Sequence, residues 1–159
     1  MKGLANRVML MFGRGVLRGV SDTGKRQMLQ VELLKGELRD GLERMQNYGM
    51  TSHPLGGDVA VAFLGGNREQ GIALIVDDRR YRLSLQPGEV ALYDDLGNTV
   101  QLLRDRVKIN AVQKLEIVAP TVTIAGDVTI TGTLTNNGKA VGSTHTHPGD
   151  SGGTTGAPN

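Results

Sequence analysis

From Val107 onward the chain repeats one short unit, an apolar residue, any residue, then a second apolar residue. The copies are Val107-Lys108-Ile109, Leu115-Glu116-Ile117, Val122-Thr123-Ile124 and Val128-Thr129-Ile130. Their starts lie 8, 7 and 6 residues apart, and Leu134 follows 6 residues later. In an extended strand residues i and i+2 share a face, so each unit offers two apolar side chains to one side. Asn110-Ala111, Ala119-Pro120, Ala125-Gly126-Asp127 and Thr131-Gly132 sit between the units as turn residues. Short strands that turn every few residues predict a β-helix or β-prism, and the shrinking step predicts a shaft that narrows toward the C-terminus.

Such a shaft cannot be made by one copy. Two apolar side chains per strand do not offset the backbone entropy lost in ordering the segment. The strand edges also carry little charge: Val118 to Asn159 holds only Asp127, Lys139 and Asp150, so free edges would aggregate. Winding several copies around one axis pairs the edges and buries the apolar face, and three copies give a triangular prism. The competing expectation is a disordered Thr/Gly-rich tail, against which the regular Val/Ile spacing stands. Composition agrees with repetition or oligomerisation. Glycine is 23 of 159 residues and the rings are two Phe and three Tyr, too few for a core built on aromatic area.

The first part of the chain differs. Met1 to Asp95 carries 13 basic and 12 acidic residues. Strands are expected at Gly15–Val20, at Gln27–Leu33 with Leu29, Val31 and Leu33 on one face, at Asp58–Leu64 and at Gly71–Asp77. Gly65-Gly66-Asn67 predicts a hairpin between the last two. Leu42–Met45 and Tyr48–Met50 are expected to form a bent strand pair. Five short strands with glycine breaks fit a small closed barrel of the OB type, although periodicity alone does not separate barrel from sandwich. Leu4, Val8 and Met11 share one helical face in a marginal N-terminal segment, an arm for a partner or a neighbouring copy. The fold class is therefore all-β: an arm over 1–13, an OB-fold-like barrel over 14–95, a trimeric intertwined β-helix over 96–141, and a metal-binding tip and tail over 142–159. The tail either folds back over the tip or is disordered.

The candidate site is His145 and His147. One residue apart on an extended strand, the two imidazoles point the same way. Two imidazoles are half of a four-ligand zinc site, the chain has no cysteine, and the remaining histidine, His53, lies far away. Three copies on a threefold axis supply six imidazoles. Imidazole suits Fe, Zn, Cu and Ni, and six-coordination favours one iron ion per trimer over tetrahedral zinc, with another metal possible. Such a site leaves no open position for substrate, so its role is structural. The rival is a metal-dependent cell-wall hydrolase using His145 and His147, for which Asp150 is the nearby carboxylate. His53 is expected in a surface loop. Asp77-Asp78 and Asp94-Asp95 read as solvated turn carboxylates that could seat a cation. Arg79-Arg80-Tyr81-Arg82 reads as a source of interdomain or intersubunit ion pairs.

Several classes are disfavoured. A net charge of +2 and few rings argue against a nucleic-acid-binding OB protein, which needs a basic groove and stacking aromatics. No apolar run reaches the length of a membrane-spanning helix, and no secretory signal is expected. No Ser/His/Asp arrangement, phosphate-binding glycine loop or persuasive acid/base pair is present.

In Arg7–Gly15 (RVMLMFGRG), in Tyr81–Asp94 (YRLSLQPGEVALYD), in the Val/Ile/Thr repeats and in Thr144-His145-Thr146-His147, taken in that order, the chain resembles the Mu-like baseplate assembly protein V family, the central spikes of contractile phage tails. The resemblance covers nearly the whole chain. It implies a homotrimer in the virion, at the tip of the tail baseplate, made in the host cytoplasm. It implies an N-terminal OB domain attached to a baseplate hub protein, and a spike that pierces the host outer membrane when the sheath contracts. It also implies that His145 and His147 hold one iron ion on the axis. The short repeat region and the Gly/Pro-rich end, Pro148 to Asn159, depart from the family pattern.

Overall fold

The computed structural model describes residues 8–143 and 145–156. Leu4, most of the expected arm, Thr144 and the last three residues lie outside the described residues. The chain divides into two compact units, the second beginning at Glu116.

The first unit is built on a closed barrel of five strands: β1 (Phe12–Ser21), β2 (Gln27–Leu34), β3 (Glu37–Arg44), β4 (Asp58–Phe63) and β5 (Gly71–Asp77). The order around the barrel is β1-β2-β3-β5-β4, closed by β4 on β1. All neighbours are antiparallel except β3 and β5, which meet in parallel at Glu43–Ile72 and Arg44–Ala73. Alternation sets the core. Leu29 and Val31 of β2 and Val59, Val61 and Phe63 of β4 point inward and join Leu17, Leu42 and Ala73. Between them on β2, Met28, Gln30 and Glu32 keep partial exposure. The 3₁₀ turn Leu64–Gly66 links β4 to its antiparallel neighbour β5, the hairpin expected from Gly65-Gly66-Asn67.

One expectation is corrected. Leu42–Met45 and Tyr48–Met50 are not a strand pair: β3 runs from Glu37 to Arg44 and pairs with β2 across Lys35-Gly36, where Gly36 takes φ +82°. Tyr48–Met50 lies in a loop closed by the Met50 amide on the Asn47 carbonyl, and Gly49 takes φ +82°. That positive φ suits glycine and ends any strand there. The apolar run of β5 is only partly buried. Ala60 pairs with Ile75 and Val61 with Ala73, so Leu74 is a bulged residue, and Leu74 and Ile75 face outward.

Gly15 marks a close approach to backbone within the barrel. A Cβ there would lie 2.6 Å from both the Glu32 carbonyl oxygen and Val31 Cγ1. Backbone cannot retreat as a flexible side chain can. Gly15→Ala is therefore expected to destabilise the barrel by about 2 kcal/mol, while Gly24→Ala, at an open position, leaves it near parent stability. Chemical unfolding of both variants tests this, and equal stability of the two would refute the close contact.

A three-stranded antiparallel meander follows, β6 (Val90–Tyr93), β7 (Thr99–Leu102) and β8 (Val107–Asn110), in the order β6-β7-β8. The first apolar unit, Val107–Ile109, is thus paired within its own chain, Ile109 opposite Val100. Residue 95, the expected end of the barrel domain, falls in the β6–β7 turn.

Beyond β8 the character changes. No strand is assigned from Ala111 to Leu134 among the described residues. The repeats stand exposed: Ile117 and Ile124 are each 69% exposed and Ile130 52%. Gly126, Gly132 and Gly138, six residues apart, take φ of +135°, +120° and +77°. The Val122 and Val128 units thus each end on a backbone conformation that glycine adopts without steric cost, and Gly138 serves the turn of the hairpin that follows. The run stops at a small hairpin, β9 (Thr135–Asn136) and β10 (Lys139–Ala140), where the Val141 amide donates to the Leu134 carbonyl.

Candidate metal centre

His145 and His147 follow that hairpin, and the structure brings their rings together. The centroids are 5.1 Å apart with an interplanar angle of 84°. His145 is half-buried. Its Nδ1 lies 2.7 Å from the Gly142 carbonyl oxygen. A carbonyl only accepts, so Nδ1 carries the proton and Nε2 keeps its lone pair in the neutral ring. That is the tautomer of a metal-ligating imidazole whose other nitrogen is held by backbone.

His147 is held from the other side. Its amide donates to the Thr155 hydroxyl at 2.9 Å, and its carbonyl accepts from the Thr155 amide at 2.9 Å. The Gly149 amide donates to the Gly153 carbonyl at 2.7 Å, and Pro148 bridges Thr154. Residues 147–155 therefore fold back as a tight hairpin. Its turn passes through Asp150 and through Gly152 at φ +81°. Gly142 and Thr155 were not legible as partners of the histidines: one contributes a backbone carbonyl, and the other lies eight residues past His147 with no local pattern to mark it. Among the described residues no group of three His, Asp or Glu side chains could hold a metal ion. Asp150 turns instead toward Ser151, whose hydroxyl donates to it.

Asp78, Asp94, Arg79, Arg80 and His53 have local partners. Asp78 accepts two bonds from the Arg80 guanidinium, at 2.9 and 2.6 Å. Those bonds hold its carboxyl below the usual carboxylate range and raise the Arg80 guanidinium. Asp94 caps the β6–β7 turn, accepting from the Asn98 side chain and from the Leu96 and Asn98 amides. The Asn98 side chain leads in lowering its pKa. Arg79 pairs with Asp58 at 2.9 Å. The ion pairs of Arg79 with Asp58 and of Arg80 with Asp78 therefore lie within the first unit. Asp58 is also bonded by Arg14, the main cause of its lowered pKa. His53 sits in the β3–β4 loop, with Nδ1 3.3 Å from Asp22. That loop is tied to the barrel by buried Gln27 and by Arg44, which both donate to the Ser52 carbonyl.

Against known proteins, the family described as Bacteriophage Mu Gp45, N-terminal, matches residues 14–80, a span that contains the barrel from Arg14 onward. The baseplate puncturing device gp45 of Escherichia phage Mu is 38% identical over 179 aligned residues, covering 96% of this chain and 91% of that protein. The Mu-like prophage FluMu protein gp45 of Haemophilus influenzae is 35% identical over 115 residues, 72% of this chain and 63% of that one. With one such relative matched along almost its whole length, the chain belongs to the Mu gp45 family.

Proposed function

We propose that the protein is the central spike of a contractile phage tail, located in the virion baseplate, and that it works as a homotrimer. The observation that carries this reading is the exposed ladder of Leu115, Ile117, Val122, Ile124, Val128 and Ile130, which has no strand partner among the described residues of its own chain. Identical copies offer identical edges and identical apolar faces, so winding them around an axis pairs the first and buries the second. The relative named a baseplate puncturing device supports the same role. The barrel, OB-like in its five-stranded closure, attaches the spike to a baseplate hub protein. The narrow C-terminal end meets the host outer membrane when the sheath contracts. The role is mechanical rather than enzymatic.

His145 and His147 of three copies supply six imidazoles for one ion, iron by preference for six-coordination. The tautomer set on His145 by Gly142 fits this donor set. A metal held there crosslinks the three C-terminal ends at the point of the spike. Native mass spectrometry of the purified protein tests the reading. The expected result is a trimer carrying one ion of iron mass. A metal-free monomer would overturn both the intertwined shaft and the shared site.

A further inference from the structure

The hairpin over residues 147–155 does more than end the chain. His147 is exposed, yet its amide and carbonyl are both bonded to one residue, Thr155, at 2.9 Å each. Two bonds to a single residue fix the backbone at His147 in position and in direction. The hairpin is in turn closed by the Gly149–Gly153 bond and by the Pro148–Thr154 bridge. On the neighbouring ligand the Gly142 carbonyl does the equivalent work through Nδ1. The His145 ring is thus anchored by a group from before the His-Thr-His motif, and the His147 backbone by a group from after it.

We propose that this hairpin is a clasp that preorganises the imidazole pair for metal, with the Thr155 hydroxyl as the positioning group for His147. This rests on the reading of His145 and His147 as metal ligands. Ligands held in place before binding lose less entropy on binding and rebind faster after a transient opening. Thr155 touches no metal in this scheme. It acts through the backbone of His147, so its removal should loosen the site without removing a ligand.

The test uses full-length protein with Thr155→Val, which keeps shape and backbone amide but loses the hydroxyl, and with Thr155→Ser, which keeps it. Each is loaded anaerobically with ferrous iron and challenged with a colorimetric ferrous chelator. Thr155→Val is expected to release iron about ten-fold faster than the parent, at the lower end of the effect of outer-shell partners on metal affinity. Thr155→Ser should stay within about two-fold of the parent. In metal-free protein, amide hydrogen exchange at His147 should quicken in Thr155→Val and not in Thr155→Ser. Release from Thr155→Val at the parent rate, or unchanged exchange at His147, overturns the clasp while leaving the metal site standing. A parent protein that takes up no iron overturns the metal reading and the clasp with it.

Discussion

A protein carrying His145→Ala together with His147→Ala is expected to lose its bound metal completely and to remain a trimer. The two rings are neighbours at 5.1 Å, and no cluster of three or more His, Asp or Glu among the described residues offers a substitute site. Removing both takes away every imidazole of the proposed centre. The apolar ladder from Leu115 to Ile130 lies outside that change, so the contacts proposed to hold three copies together persist. What should alter is the end of the chain. Metal bound only where three copies meet stabilises that assembled state, so its loss should raise hydrogen exchange over residues 141–156 and leave the barrel strands unaffected. Native mass spectrometry reads subunit number and metal mass in one measurement. Stoichiometric metal in the doubly substituted protein would sink the assignment of these histidines.

Ile124→Asp with Ile130→Asp should have the opposite result, a metal-poor monomer with an intact barrel. These two side chains are six residues apart, at equivalent positions of successive repeats, and 69% and 52% exposed in the single chain. In a trimer the pair would place six carboxylates in an apolar interior. An unpaired buried charge costs several kcal/mol, so about six of them exceed what the shaft contributes through its Val and Ile side chains. Thr123→Asp with Thr129→Asp is the control, because alternation puts these residues on the opposite face of the same strands. The threonine variant should stay trimeric, its new charges lying in water. Sedimentation velocity separates the outcomes, and far-UV circular dichroism checks that the barrel survives. If the threonine variant dissociates and the isoleucine variant does not, the shaft faces are assigned the wrong way round.

Both predictions draw on features legible in the amino-acid sequence. Leu29, Val31 and Leu33 read as one face of a strand, and Leu29 and Val31 are buried with Leu33 packed against them. The hairpin at Gly65-Gly66-Asn67 is equally plain, because tight turns are written in consecutive residues. The bent pair at Leu42–Met45 and Tyr48–Met50 does not form, for a related reason. Both segments are apolar enough for strands, but Gly49 at φ +82° and the bonds that hold Ser52 to Gln27 and Arg44 make the second a loop. A short apolar run does not reveal whether a hydrogen-bonding neighbour awaits it. Val107–Ile109 has the pattern of the later repeats, yet β7 lies opposite it in its own chain. The units from Leu115 onward have no such strand beside them among the described residues.

Local geometry was therefore legible from the residues alone: which side chains share a face, where glycine lets the chain turn, and that His145 and His147 come as a pair. These follow from dihedral preferences and from the two-residue period of a strand, which act over a few residues. Long-range packing chose the partners. It set β5 between β3 and β4, brought Gly15 against the backbone of Glu32, turned Arg79 and Arg80 to carboxylates of their own unit, and folded Thr155 back onto His147. Those choices belong to contacts between residues distant in the chain. A backbone amide or carbonyl presents the same group at every position, so the local pattern cannot name its partner; the packing of the whole molecule does.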